Sequence, residues 1–166
     1  MNFTNGLEQI TEVIKKCIYR ENKPDGLLDD VETIIPIYAN EEGVDEPCIW
    51  ITQHPTLPAD EKRNINEKVK LVTPFQFTCV EYDPDPEIAE LKGQNLATRV
   101  GHAVQKNYLK ISKELGYPRV ISHIDINSYL PNGDVAVKGK SDKVPCTALV
   151  LDVVFYIDWK NCCKKQ

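Results

Sequence analysis

Three histidines, six cysteines and one acidic run are the groups in this 166-residue chain that could serve as nucleophile, base or metal ligand. His102 has Thr98 and Lys106 four residues to either side, so it lacks the H-x-x-x-H spacing with which a helix presents two imidazoles to zinc. His123 and Asp125 are two apart in an alternating segment and would share one face, within reach of one ion or one proton. A solvated polar face is also what a one-sided strand requires. Cys48 and His54 offer a thiol nucleophile and a base, but no third residue is placed to orient the imidazole. Cys17, Cys48, Cys79, Cys146, Cys162 and Cys163 contain no C-x-x-C pair, which weakens both zinc and redox readings. Cys17 and Cys79 fall on apolar stripes and read as small buried hydrophobes, whereas the adjacent Cys162 and Cys163 read as free thiols. Asp83, Asp85 and Glu87 could ligate a cation, although helix initiation accounts for each of them. With neither G-x-G-x-x-G nor G-x-x-x-x-G-K present, the expectation is a chain without catalytic residues, metal or cofactor.

The bulk numbers fit a folded, soluble domain. Hydrophobic residues make up 42% and charged residues 27%, close to the globular average. The length suits a single α+β domain over residues 1–160 with a basic tail at 161–166. No apolar run approaches the roughly 18 residues of a membrane span, and the first residues lack the layout of a signal peptide. The net charge of -5 argues against a general nucleic-acid binder. These features place the chain in the host cytoplasm, away from membranes.

The elements follow from periodicity. Phe3, Leu7, Ile10, Val13, Ile14, Cys17 and Ile18 recur at helical steps, and "ENKPDG" ends that helix. "VETIIPIYA" and "PCIWIT" read as strands, the first demoted toward an edge by Pro36. Residues 53–68 are polar, contain two prolines and show neither period, as in a long loop or an extended hairpin tip; loops of that length are often functional. Val69, Leu71, Phe75, Phe77 and Cys79 alternate with polar residues as a half-buried strand. "DPDP" then starts a long helix, with Asp85 as N-cap and Pro86 in the first turn. Its apolar stripe is read as Ile88, Leu91, Leu96, Val100, Ala103, Val104, Tyr108, Ile111 and Leu115. Gly93 and Gly101 mark either close backbone approach or tolerated defects. Ile124, Ile126 and Leu130 alternate with His123, Asp125 and Asn127, "PNGD" signals a hairpin, and "VAVKG" is read as the returning strand. Leu149, Leu151, Val153, Phe155, Ile157 and Trp159 form one face of a last strand, and Val150, Val154 and Tyr156 on its other side suggest a second covered face. The order predicts an antiparallel or mixed sheet with an N-terminal helix and one long central helix packed on one face.

The leading "LEQITEVIKKCI", the "PCIWIT" strand with its polar excursion to Lys68, "VTPFQFTCVEY", "NLATRVGHAVQKNYLK" and the closing "ALVLDVVFYIDW" resemble, in order and length, the tail-terminator or tail-completion proteins of long-tailed bacteriophages. The resemblance spans roughly Leu7 to Trp159. It implies a non-enzymatic virion subunit assembling as a homo-oligomeric, hexameric ring that caps the tail tube and joins it to the head connector proteins. DNA would pass through such a ring without specific binding, which an acidic balance suits. Candidate subunit or partner contacts are His54, Leu57, Asp60 and Arg63 in the polar segment, with Tyr156 and Trp159 on the last strand. The same periodicities allow a small-ligand-binding or regulatory module. A further alternative is a thiol hydrolase built on Cys48 or Cys146.

Overall fold

The apolar steps of the first segment form helix α1, Gly6–Glu21, burying Ile10, Val13, Ile14, Cys17 and Ile18. The computed structural model describes residues 6–35, 46–59, 68–117, 120–135 and 142–158. The predicted stop after α1 is a tight turn in which Asp25 takes a left-handed φ of 64°. The Leu28 amide then donates to the Glu21 carbonyl at 3.0 Å, closing the helix end.

Among the described residues six strands make one sheet. β1 (Thr33–Ile35) lies at an edge, parallel to β2 (Cys48–Gln53), and Pro36 falls outside the described residues. β2 pairs antiparallel with β4 (Lys68–Val80), from Cys48 opposite Val80 to Gln53 opposite Phe75. β6 (Val144–Asp158) pairs with β4 along the full length of β4, and β5 (Ile121–Val135) forms the other edge, giving the order β1-β2-β4-β6-β5. The short β3 (Leu57–Pro58) pairs with β4 just past the end of β2. The sheet is therefore mixed, and the expected α+β class holds.

Helix α2 (Pro86–Glu114) lies across β4, β5 and β6, with α1 beside it. Its N-terminus is capped as predicted, since the Asp85 carboxylate accepts from the Glu87 amide at 2.9 Å and Pro86 fills the first turn. At the other end Gly116, at φ 79°, donates to the Lys113 carbonyl, and Tyr117 donates to that of Ser112 at 2.7 Å. This pair of bonds is a Schellman closure, which needs a left-handed residue and so favours glycine. Phe75, Phe77, Leu149, Leu151, Val153 and Phe155 meet Leu96, Val100, Val104, Ile111 and the α1 stripe in one core. Each such burial contributes roughly 1.5–3 kcal/mol.

Several local expectations are corrected. Ile88 and Leu91 do not join the buried stripe of α2; they are 43% and 64% exposed. The buried side there consists of Ala89, Gly93 and Ala97, and Leu91 sits two residues, about 200°, around the helix from Gly93. Small residues let the helix approach the sheet: a methyl at Gly93 would lie 3.4 Å from the Cys79 carbonyl oxygen and 3.5 Å from the Thr147 amide. These are ordinary van der Waals distances, so Gly93 lies close to the sheet but the approach does not itself demand glycine. Gly101 faces the Leu149 side chain.

"PNGD" does not turn. It lies within β5, where Gly133 pairs with Cys146 and Val135 with Val144, so β6 is the returning strand, and two strands follow α2 among the described residues. The rest of "VAVKG" falls outside the described residues. The register of β5 shifts between Leu130 and Gly133, and a methyl on Gly133 would sit 2.7 Å from the Cys146 sulfur. Glycine here relieves a bulge rather than making a hairpin. A second shift between Ile126 and Ser128 breaks the expected alternation: Ile126 pairs with Leu151 on the helix side, Leu130 with Ala148 on the opposite side, and both are more than half exposed at the sheet margin.

Candidate functional site

Both helices lie on the face of the sheet that carries Phe75, Phe77, Leu149 and Phe155, so the opposite face bears no layer from the described residues. The cross-strand register assigns that open face. Trp50 pairs with Thr78 and Thr52 with Gln76. Gln76 pairs in turn with Val150, Val72 with Val154 and Lys70 with Tyr156. On β5, His123 is opposite Val154 and Asp125 is opposite Asp152.

Three predicted contact residues converge on this face. Leu57 pairs with Val72 and is 57% exposed, and Tyr156, across from Lys70, is 39% exposed. The His54 amide donates to the Pro74 carbonyl at 2.9 Å, and its ring nitrogen Nε2 lies 3.1 Å from Gln76 Oε1. Gln76 Nε2 donates onward to Thr78 Oγ1 at 3.2 Å, so a polar line runs along β4. Asp60, Arg63 and Trp159 lie outside the described residues. The beginning of the 53–68 segment is thereby not a plain loop: β3 continues the β2 edge alongside β4, and residues 60–67 lie outside the description.

The face is apolar at its centre and polar at its margins. Val150 and Val154 are only 8% and 6% exposed, although no helix among the described residues lies on that face. At the far end Cys48, Val80, Val144 and Cys146 form a small second cluster, with Trp50, Tyr82 and Val135 against it. Toward β5, Asp125 and Asp152 face each other, a like-charge cross-strand pair that is unfavourable unless relieved. His123 Nε2 lies 3.2 Å from Asp125 Oδ2, and Asn127 Nδ2 donates to Asp152 Oδ2 at 2.9 Å. His123 and Asp125 do share a face, as expected. Among the described residues no group of three His, Cys, Asp or Glu side chains could hold a metal ion.

The Cys48 and His54 pairing is not made. Cys48 opens β2 and His54 follows its last residue, which at about 3.3 Å per residue separates them by roughly 20 Å. Burial pushes the Cys48 thiol up to about 12 and raises that of Cys146 as well, which keeps both protonated at neutral pH. Cys17 and Cys79 are fully buried free thiols, as predicted.

A buried polar node was not apparent from periodicity. Glu21 closes α1 at 4% exposure and accepts from Asn107 Nδ2 at 2.7 Å, from Lys106 Nζ at 3.2 Å and from the Leu27 amide at 3.2 Å. Burial alone would raise its carboxyl, but these bonds outweigh burial and hold it below the usual range. The available signal was Asn107, a polar residue inside the apolar stripe of α2. Arg99 plays a similar part, reaching from α2 to Asp30 Oδ1 at 2.6 Å and to the Leu27 carbonyl at 3.2 Å. Both nodes tie the 22–31 turn to the helix pair.

The arrangement is that of an α+β domain whose two helices lie on one face of the sheet, with no second helical layer among the described residues. No protein-family model matches the chain, and comparison with curated proteins returns no match.

Proposed function

We propose that the chain is a non-enzymatic structural subunit of a long-tailed phage, a tail terminator that assembles as a ring, stops growth of the tail tube and offers a surface to the head connector. The observation that supports this best is the convergence of His54, Leu57 and Tyr156 on the face of the sheet opposite the helices. An apolar centre ringed by polar groups is how interaction surfaces are commonly built. The subunit's work is then done by shape: a rigid helix-backed sheet presents one face and two strand edges to neighbours.

Substituting Leu57→Asp together with Tyr156→Asp tests the assignment, because both side chains are exposed and a folded monomer tolerates the change. The expected result is an unchanged circular dichroism spectrum and unfolding midpoint with loss of self-assembly. Assembly that proceeds as in the unaltered protein would remove this face from the account.

A further inference from the structure

The solvent side of α2 carries a pattern that neither the core nor the open sheet face uses. Leu91 and Leu109 are 64% and 62% exposed. They are eighteen residues apart, about five full helical turns, and so lie on one line along the helix. Between them the exposed positions on that line are Asn95, Thr98, His102 and Gln105, with the exposed Lys106 to one side of it, bound to Glu21. Outside them lie Glu87 and Glu90 at the N-terminal end and Lys110 and Lys113 at the C-terminal end. The line is symmetric about Val100: Leu91 matches Leu109, Asn95 matches Gln105, Thr98 matches His102, Glu90 matches Lys110 and Glu87 matches Lys113.

We propose that this side of α2 is a two-fold interface on which two copies of the chain pair with their α2 helices antiparallel. In that arrangement Glu87 and Glu90 of one copy face Lys113 and Lys110 of the other, and the two leucines meet at both ends. Antiparallel alignment also sets each helix N-terminus beside the partner's C-terminus, which the helix dipoles favour. Dipole preference alone explains acids at the start of a helix and bases at its end. It does not explain two exposed leucines on one line of the helix, which antiparallel pairing brings against each other reciprocally, Leu91 on Leu109 and Leu109 on Leu91.

The size of the contact sets its strength. From Glu87 to Lys113 the line is about 39 Å long at 1.5 Å per residue. A strip about 10 Å wide then buries roughly 800 Å² over both copies, below the size of stable specific interfaces and in the range of weak, transient ones. The pair is consequently weak, concentration-dependent and favoured by low salt. This inference does not rest on the tail-terminator reading, because it leaves the open sheet face and both strand edges free.

The test is sedimentation velocity over a concentration series at low salt with the unaltered chain and two charge-reversed forms, one carrying Glu87→Lys with Glu90→Lys and the other Lys110→Glu with Lys113→Glu. The unaltered chain is expected to self-associate, each reversed form alone to associate at least tenfold more weakly, and an equimolar mixture of the two to recover association, since every pair is then again opposite in sign. Circular dichroism on each form verifies the fold, and recovery on mixing shows that neither has simply unfolded. A chain that stays monomeric at every concentration overturns the proposal, as does self-association that both reversed forms retain or that mixing fails to restore. A ring of unchanged mass in both reversed forms removes only this contact and leaves the terminator reading standing. A charge-dependent dimer with no larger closed species supports this contact and counts against the ring.

Discussion

Glu21 shows how one side chain can hold three segments together. Its carboxylate ends α1, receives Asn107 and Lys106 from α2, and accepts the Leu27 amide from the turn between them. Because its folded-state carboxyl titrates below the unfolded one, the stability it contributes is complete above the ordinary carboxylate range and is lost as pH falls through the lower, folded value. Glu21→Gln is expected to cost about 1–3 kcal/mol at neutral pH, with a smaller difference from the parent at about pH 3; urea unfolding at the two pH values measures both. Equal losses at both would show that the charge is not what matters. The cysteines give a second residue-scale prediction. With the Cys17 and Cys48 thiols pushed up to about 12 and Cys79 raised further by complete burial, the thiolate needed for alkylation is nearly absent. Iodoacetamide at neutral pH should leave these three unmodified in the folded protein and modify them in urea, as read by peptide mapping.

Among the elements, two glycines are predicted to respond in opposite directions. At Gly93 the added methyl would make ordinary contact at 3.4 Å, and the helix gains up to about 1 kcal/mol from alanine, so Gly93→Ala should be neutral or stabilising. At Gly133 the methyl would press on the buried Cys146 sulfur at 2.7 Å inside a paired strand, and Gly133→Ala should cost about 1–3 kcal/mol. Thermal unfolding of the two variants decides both. The same two positions show what periodicity can reveal. The caps of α2, the core face of β4 and the inward face of β6 were legible because each rests on local chemistry or on an unbroken two-residue alternation. The true buried side of α2 was not, because it runs through Ala89, Gly93 and Ala97, whose small size is their contribution, while the larger Ile88 and Leu91 drew the stripe toward solvent. In β5 the misreading has one cause: bulges at Ile126/Ser128 and Leu130/Gly133 shift side chains between faces, and Asn132-Gly133 looks locally the same whether it turns the chain or relieves a bulge. The convergence of His54, Leu57 and Tyr156 could be suspected only as separate residues, since their shared face depends on the register of β3 and β6 against β4.

For the whole molecule the central claim is assembly. Two surfaces are proposed for it: the sheet face opposite the helices for the ring, and the solvent side of α2 for a two-fold pair. They are separable because the helices and the open face lie on opposite sides of the sheet. The element order that resembles tail terminators fits a subunit whose strands are long enough to carry contacts at both ends, as β4 and β6 are with thirteen paired positions. The most direct measurement is the mass of the purified chain by light scattering coupled to size exclusion over a concentration series, with electron micrographs of the largest species. The account predicts a closed ring of defined stoichiometry, six subunits by the resemblance, appearing as concentration rises. A chain that remains a monomer, or stops at a dimer, at every concentration would contradict the ring.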